Sequence, residues 1–364
     1  MPVLRVPLKP SVHGRDWPAG RPGAARWAAA ASLGLGLAVA APALAQPAGP
    51  VPATSSPVSA PVSDARAWLQ RVNDAARLRS YEGTLVSSDA RSMMVWRVAH
   101  YADGGQQAER IDALGGEPLT VLRYNDVVHK VWLRTRVAEV EQRDARARFP
   151  ALPAAGSEQQ VFEWYEWQPK GAARVAGHEA EVVLLKARDA ARFSQRLWAE
   201  RGSGLLLRVD ILGPGEQLLE WAAFSDILIG VRPRMHAVTD QLRRLDGYRV
   251  LRPAVLPTSL DNEGWQLQAP PPGFRPVQCA KRSLDPAGAA GAPVVLQAIY
   301  SDGLTHVSLF IEPFDAKRHQ AEVAGSIGAT HTYMARRDDQ WVTVMGDVPM
   351  ETLKRFASAL QKKR

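Results

Sequence analysis

Zinc, acid–base and nucleophilic chemistry each need particular side chains at particular spacings, and this chain offers few. Its nearest approach to a zinc helix is His178-Glu179-Ala180-Glu181-Val182, which lacks the second histidine four residues on. The histidines at 100, 129, 236, 306, 319 and 331 are scattered, with no ligand spacing between them. There is no GxSxG nucleophile elbow and no glycine-rich phosphate loop. The acidic pairs Glu163/Glu166 and Asp338/Asp339 sit in charged or turn-like contexts and read as solvated faces rather than a glycosidase dyad. Cys279 is the single cysteine, so neither an internal disulfide nor a CxxC-type zinc site can form. It reads as a small buried apolar residue, with a reactive thiol as the alternative. The expectation is a protein with no catalytic residues, no metal and no cofactor.

The aromatic and basic residues say more. Trp96, Trp132, Trp164, Phe193 and Trp198 all fall on β-prone runs, and in the run 162–167 both sides of a strand would carry aromatics. Two readings stand: these side chains fill a core, or they line a greasy cavity on the inside of a curled sheet. Arg134, Arg136, Arg143, Arg146 and Arg148 lie in a charged stretch, 134–156, that interrupts the strand pattern and reads as a long loop or a short helix. They are candidates for a lip that meets phosphate head groups, or else a solvated loop.

The elements that must position these residues are legible from periodicity. After the N-cap pair Ser63-Asp64, apolar residues at 68, 69, 72, 75, 76 and 78 keep helical spacing. From Tyr81 to residue 229, short β-prone runs alternate with Gly, Asn and Asp turns, which predicts roughly ten antiparallel strands. A sheet that wide curls, so a barrel or half-barrel is expected. Residues 231–262, punctuated by Pro233, Pro253 and Pro257, read as a linker or short helix. A second β-rich unit starts near Trp265, with strands around 274–282, 294–300, 305–311, 330–335 and 341–346 and a closing helix from Pro349 to Lys363. In its middle, Ser301-Asp302-Gly303 is a turn first. The fold class is therefore α+β and mainly antiparallel β: a large half-open domain over 63–230, the linker 231–262, and a smaller C-terminal domain over 263–364 that ends in a helix.

Residues 1–45 read as an address. Five basic residues precede a fourteen-residue apolar run, 27–40, too short for a spanning helix of about 20 residues. Ala43-Leu44-Ala45 then supplies small residues for cleavage after Ala45. Residues 46–62 form a Pro/Ala/Ser tether. Export bears on the charge argument. The formal +8 of the whole chain falls to +4 once the address leaves with five bases and one acid. An exported chain of ordinary charge is not expected to bind nucleic acid.

Several strings, taken in order, resemble one family. They are Tyr81-Glu82-Gly83-Thr84, Glu109-Arg110-Ile111, Leu114-Gly115-Gly116-Glu117-Pro118, Arg174-Val175-Ala176-Gly177, Arg192-Phe193-Ser194 and Leu197-Trp198. Leu207-Arg208-Val209-Asp210 and Leu219-Glu220 follow, then Pro272-Gly273-Phe274, Tyr300-Ser301-Asp302-Gly303-Leu304 and Val344-Met345-Gly346-Asp347-Val348-Pro349. From residue 64 to the C-terminus the chain resembles the sigma-E factor regulatory proteins of the RseB/MucB family. The resemblance implies a two-domain periplasmic protein whose larger domain is similar to the half-open barrels of outer-membrane lipoprotein carriers. It implies a negative regulator of the envelope stress response as well. Such proteins bind the periplasmic part of a single-span anti-sigma factor, shield it from the site-1 protease, and are displaced by lipid or lipopolysaccharide. A plain periplasmic lipid or lipoprotein carrier is the competing reading, and an envelope scaffold a third. The extra C-terminal domain separates the regulator from a simple carrier. A homo-oligomer is left open.

Overall fold

In the computed structural model, residues 62–89, 91–142, 156–283, 294–319 and 321–363 are described. The expected signal peptide, the tether up to residue 61, and Arg143, Arg146 and Arg148 lie outside them.

The apolar spacing at the start of this region winds into α1 (Val62–Leu78), which buries Ala65, Trp68, Leu69, Val72, Ala75 and Ala76 along one stripe. Strands follow: β1 (Tyr81–Asp89), β2 (Met93–Asp103), β3 (Gln106–Ala113), β4 (Leu119–Tyr124), β5 (Val127–Trp132) and β6 (Val137–Gln142). A short helix, α2 (Glu158–Trp164), leads into β7 (Tyr165–Val175), β8 (His178–Ala187), β9 (Ser194–Glu200), β10 (Leu206–Leu212) and β11 (Leu218–Ile229). Then come α3 (His236–Arg243) and β12 (Arg249–Leu251). The turns Asn125-Asp126 and Ala176-Gly177 open at φ 51° and 49°, the sense that matches the twist of the strands they join.

These twelve strands make one sheet in the order β12-β6-β5-β4-β3-β2-β1-β11-β10-β9-β8-β7. Its end strands, β12 and β7, do not pair with each other, so the sheet stays open. A twist of about 20–25° between neighbouring strands, repeated across such a width, makes it curl.

Cross-strand partners share a face, so the register assigns faces. Trp96, Leu85 and Phe224 lie together on the face that carries α1. There Trp68 of α1 meets the ring of Trp167 edge-on at 5.1 Å and donates its Nε1 hydrogen to Glu181 at 2.8 Å. The opposite face carries α3, whose Val238 is buried among Tyr101, Ala108, Leu122, Val131 and Ala138.

The second domain contains β13 (Val255–Pro257), β14 (Trp265–Leu267), β15 (Arg275–Ser283), β16 (Val294–Ser301), β17 (His306–Pro313), β18 (Val323–Ile327), β19 (Thr330–Arg337) and β20 (Gln340–Gly346), then α4 (Met350–Ala359) and β21 (Leu360–Lys362). Seven of these strands form a sheet in the order β13-β15-β16-β17-β20-β19-β18, and β14 pairs with β21. Leu353 and Phe356 of α4 enter a core with Tyr300, Leu309 and Val344 on one face of that sheet.

Local sequence misled in four places. The run 161–167 is not one strand: α2 occupies its first half and β7 begins at Tyr165. Gln160 of α2 donates to the carbonyls of Gly273 and Ser301, so contacts from the second domain override the β-propensity of the aromatics. Within the expected loop 134–156, β6 is a strand whose Glu139 and Glu141 stand 3.3 and 3.4 Å from Lys130 of β5. Its charges disguised it. The stretch 231–262 is more than a connector: β12 pairs in parallel with β6, and β13 pairs with β15. The closing helix stops at Ala359 because the next three residues pair with β14.

Candidate functional site

The five aromatics expected to line one cavity occupy three separate places. Trp96 is buried and Trp132 half-buried, both on the α1-bearing face. Register puts them in one cross-strand row through Ala113 and Leu119. Trp198 is buried on the other face. Its row runs through Arg208, Ala223 and Val86 to Val95, one residue out of phase with Trp96. There the Arg208 guanidinium lies over the Trp198 ring at 4.8 Å while its Nε donates to Asp210 at 2.7 Å. Trp164 and Phe193 sit at the seam between the domains. A groove of about 610 Å³ runs along the outer side of α1, lined among others by Gln70, Arg71, Asp74 and Leu78, and none of the five aromatics lines it.

Arg134 and Arg136 are exposed in the turn between β5 and β6, directly after Trp132. The Arg136 carbonyl accepts a hydrogen bond from the Arg249 amide of β12 at 2.8 Å, which ties this turn to the sheet edge. His178 opens β8 with Nε2 3.3 Å from the Ile227 carbonyl, and the glutamate it was read beside, Glu181, is engaged by Trp68 and Arg71. Among the described residues no three His, Cys, Asp or Glu side chains gather as a metal site. Cys279 is half-buried against the second core, and burial pushes its thiol pKa up.

The densest polar chemistry lies where the domains meet. After β8 the chain turns at Asp189, and Arg192 points into the second domain with its side chain fully enclosed. Its Nη1 donates to Asp302 Oδ2 at 2.8 Å, and its Nη2 donates to the Pro272 carbonyl at 2.6 Å and to Asp189 Oδ2 at 3.1 Å. Its Nε donates to Asp189 Oδ1 at 2.9 Å. The guanidinium faces Trp164 at 4.6 Å and Phe274 at 5.2 Å.

Asp302 is as enclosed as its partner. Oδ2 also accepts from the Tyr165 hydroxyl at 2.9 Å, and Oδ1 accepts the Leu304 and Thr305 amides, each at 2.9 Å. Burial pushes the Asp302 carboxyl up in pKa, against the pull of the Thr305 amide, Arg192, the Leu304 amide and Tyr165. Burial, then the Asp302 charge, holds the Tyr165 phenol well above its usual value, so Tyr165 stays a donor. Every charge at this junction has a partner, as a buried ion pair requires.

Three further fastenings surround it. Ser157 Oγ donates to the Gly303 carbonyl at 3.4 Å. The Phe193 ring meets His331 edge-on at 5.7 Å. Thr352, in the first turn of α4, donates to the Ala191 carbonyl at 2.8 Å within buried surroundings. Thr352→Val keeps the shape and removes that donor. It is expected to cost about 1–3 kcal/mol, the penalty of an unsatisfied buried carbonyl. Urea denaturation reads this directly, and an unchanged midpoint would remove Thr352 from the seam.

Sequence reasoning did not find Arg192, Tyr165, Gly273, Asp302 and Thr352 as a group. A signal was present: Arg192-Phe193-Ser194, Pro272-Gly273-Phe274, Tyr300-Ser301-Asp302-Gly303-Leu304 and the strand leading to Pro349 are four of the strings that carried the family resemblance, and all four converge here. Asp302 is a turn residue, as read, and the counter-ion of Arg192 as well.

Comparison with known proteins covers both domains. A family model described as the MucB/RseB N-terminal domain matches residues 64–242, and one described as the MucB/RseB C-terminal domain matches residues 259–361. The sigma factor AlgU regulatory protein MucB of Pseudomonas aeruginosa is 29% identical over 321 residues, 85% of this chain and 93% of that protein. The sigma-E factor regulatory protein RseB of Haemophilus influenzae is 22% identical over 310 residues, 84% of this chain and 94% of its own length. Among solved structures, that of MucB in complex with MucA(peri) aligns with a TM-score of 0.61 at 27% identity, covering 84% of this chain and all (100%) of that one. The Pseudomonas aeruginosa MucA/MucB complex aligns with a TM-score of 0.63 at 28% identity, covering 83% and 99%.

Proposed function

The chain belongs to the MucB/RseB family, and from that membership we propose that it is a periplasmic negative regulator of an envelope-stress sigma factor. It acts by binding the periplasmic part of a membrane-spanning anti-sigma factor. The observation that carries this reading is similarity through both domains to a relative whose solved complex contains MucA(peri). The fully paired seam supports it physically, because two domains fastened together can hold one extended polypeptide across both. Export through residues 1–45 places the chain in the compartment of that partner.

In this reading the bound segment is kept from the site-1 protease, and a lipid releases it. A lipid that binds the free regulator better must weaken the partner by the same factor, since linkage is reciprocal. A coupling of about 1–3 kcal/mol weakens it roughly 5- to 150-fold. Half-buried Trp132, next to the turn with Arg134 and Arg136, supplies apolar surface for an acyl chain beside cations for phosphate. Arg134→Gln with Arg136→Gln is therefore expected to weaken binding of a phosphorylated glycolipid by about tenfold, near the worth of one charge-assisted hydrogen bond. Equal affinity in a direct binding assay would take the arginines out of the release step.

The function itself is tested by co-purification. The mature chain is expected to retain the periplasmic segment of its own single-span anti-sigma factor, and to slow cleavage of that segment by the site-1 protease. Retention of lipoproteins alone would instead favour the carrier.

A further inference from the structure

Among the described residues the two large sheets leave four edges, and three are guarded against pairing with another chain. β12 has three residues. β13 also has three and ends in Pro257. β7 is long, but Pro169, Lys170 and a bulge between Pro169 and Ala172 interrupt its outer side. The fourth edge, β18, carries none of these devices. Its five residues, Val323-Ala324-Gly325-Ser326-Ile327, are all exposed and include neither charge nor proline. Val323 stands 47% exposed, and a Cβ built on Gly325 meets nothing within 4 Å.

The geometry says which backbone groups are on offer. The two-residue turn Gly328-Ala329 joins Ile327 to Thr330. A hairpin of that kind makes its first pair a hydrogen-bonded one, so Val323, Gly325 and Ile327 direct their amides and carbonyls at β19. Those of Ala324 and Ser326 point away from the sheet. Register also sets Val323 beside Met334 on the face turned away from α4, in a row that continues through Thr343 to Phe310.

The strand's position selects its occupant. Its turn rests on the larger domain: the Ala329 amide donates to Glu220 Oε2 at 3.2 Å, and a Cβ on Gly328 would come within 2.7 Å of Asp89. A strand laid along β18 therefore runs toward the end of β1 and touches both domains. We propose that β18 is the edge on which an extended, uncharged segment of the anti-sigma factor adds as an eighth strand, its alternate side chains apolar and set over the Val323–Met334 row. This rests on the partner proposed above and adds the mode of capture.

Ala324→Pro removes an outward amide, a position where an edge strand tolerates proline. Val323→Lys places a guarding charge on the same edge. The probe is the periplasmic segment of the chain's own anti-sigma factor, with affinity measured by titration calorimetry and melting temperature recorded for each variant. Either variant, melting as the parent does, is expected to bind about tenfold more weakly or worse. In the parent complex the amides of Ala324 and Ser326 should gain protection from hydrogen exchange. Unchanged affinity in a folded variant, or no new protection at those amides, overturns strand addition while leaving the partner intact. Loss of self-association with unchanged partner affinity also overturns it, by making a second copy the occupant. Failure of the parent chain to bind the segment removes the partner and the strand together.

Discussion

Arg192→Ala is expected to lower the unfolding free energy by about 3–5 kcal/mol, the range for removing one partner of a buried ion pair. The reason lies in what remains. Asp302 stays enclosed with its charge facing only the Tyr165 hydroxyl and the Leu304 and Thr305 amides. The Pro272 carbonyl loses its donor, and Trp164 and Phe274 lose the flat cation between them. Asp302→Asn combined with Arg192→Met should recover part of the loss, because neither side then holds a bare charge. A double-mutant cycle in urea measures the coupling, expected at about 0.5–3 kcal/mol. Additive losses would mean that the two residues act independently and the seam is held by its apolar contacts alone. Calorimetry gives a second readout: with the junction broken, the two domains should melt in separate transitions.

Gly273→Ala is expected to cost roughly 2–5 kcal/mol by a different route. Gly273 sits at φ +86°, where an L side chain adds about 1–2 kcal/mol of strain. Its new Cβ would lie 2.4 Å from Trp164 Cε2 and 2.5 Å from Nε1, so the ring must move. Overpacking of that kind adds about 1–3 kcal/mol. Trp164 cannot retreat freely, because Arg192 covers it. Trp164→Ala in the same chain should therefore relieve part of the Gly273→Ala penalty. If Gly273→Ala leaves the melting temperature unchanged, the close approach of the two domains at this point is refuted. Partner binding offers an independent check, since a seam that opens should weaken a ligand that spans both domains.

How far each feature could be read from residues depended on how local its cause is. α1 was legible because its stripe repeats within one helix turn, and its apolar residues are buried as the spacing demands. The hairpins were legible because dipeptides such as Asn125-Asp126 carry their own backbone preference. β6 was hidden because Glu139 and Glu141 look solvated until Lys130 is placed beside them. α2 was hidden because the residues that favour it, Gly273 and Ser301, come from the other domain.

The aromatics show the same limit at the scale of a sheet. Which face a side chain takes is a parity count along the strands, and one bulge reverses it. Trp198 pairs through Arg208, Ala223 and Val86 with Val95, the neighbour of Trp96 on β2, so the two tryptophans take opposite faces although both sit on β-prone runs. By itself the sequence determined the helix, the hairpin meander, the two-domain plan and, through its ordered strings, the family. Only the tertiary structure decided that Arg192 meets Asp302, that Trp164 lies under Gly273, and that β18 stands as an end strand among the described residues. Periodicity and turn chemistry act over a few residues, whereas these pairings join positions about a hundred or more residues apart. Nothing short of the folded path of the chain brings such partners within reach of one another.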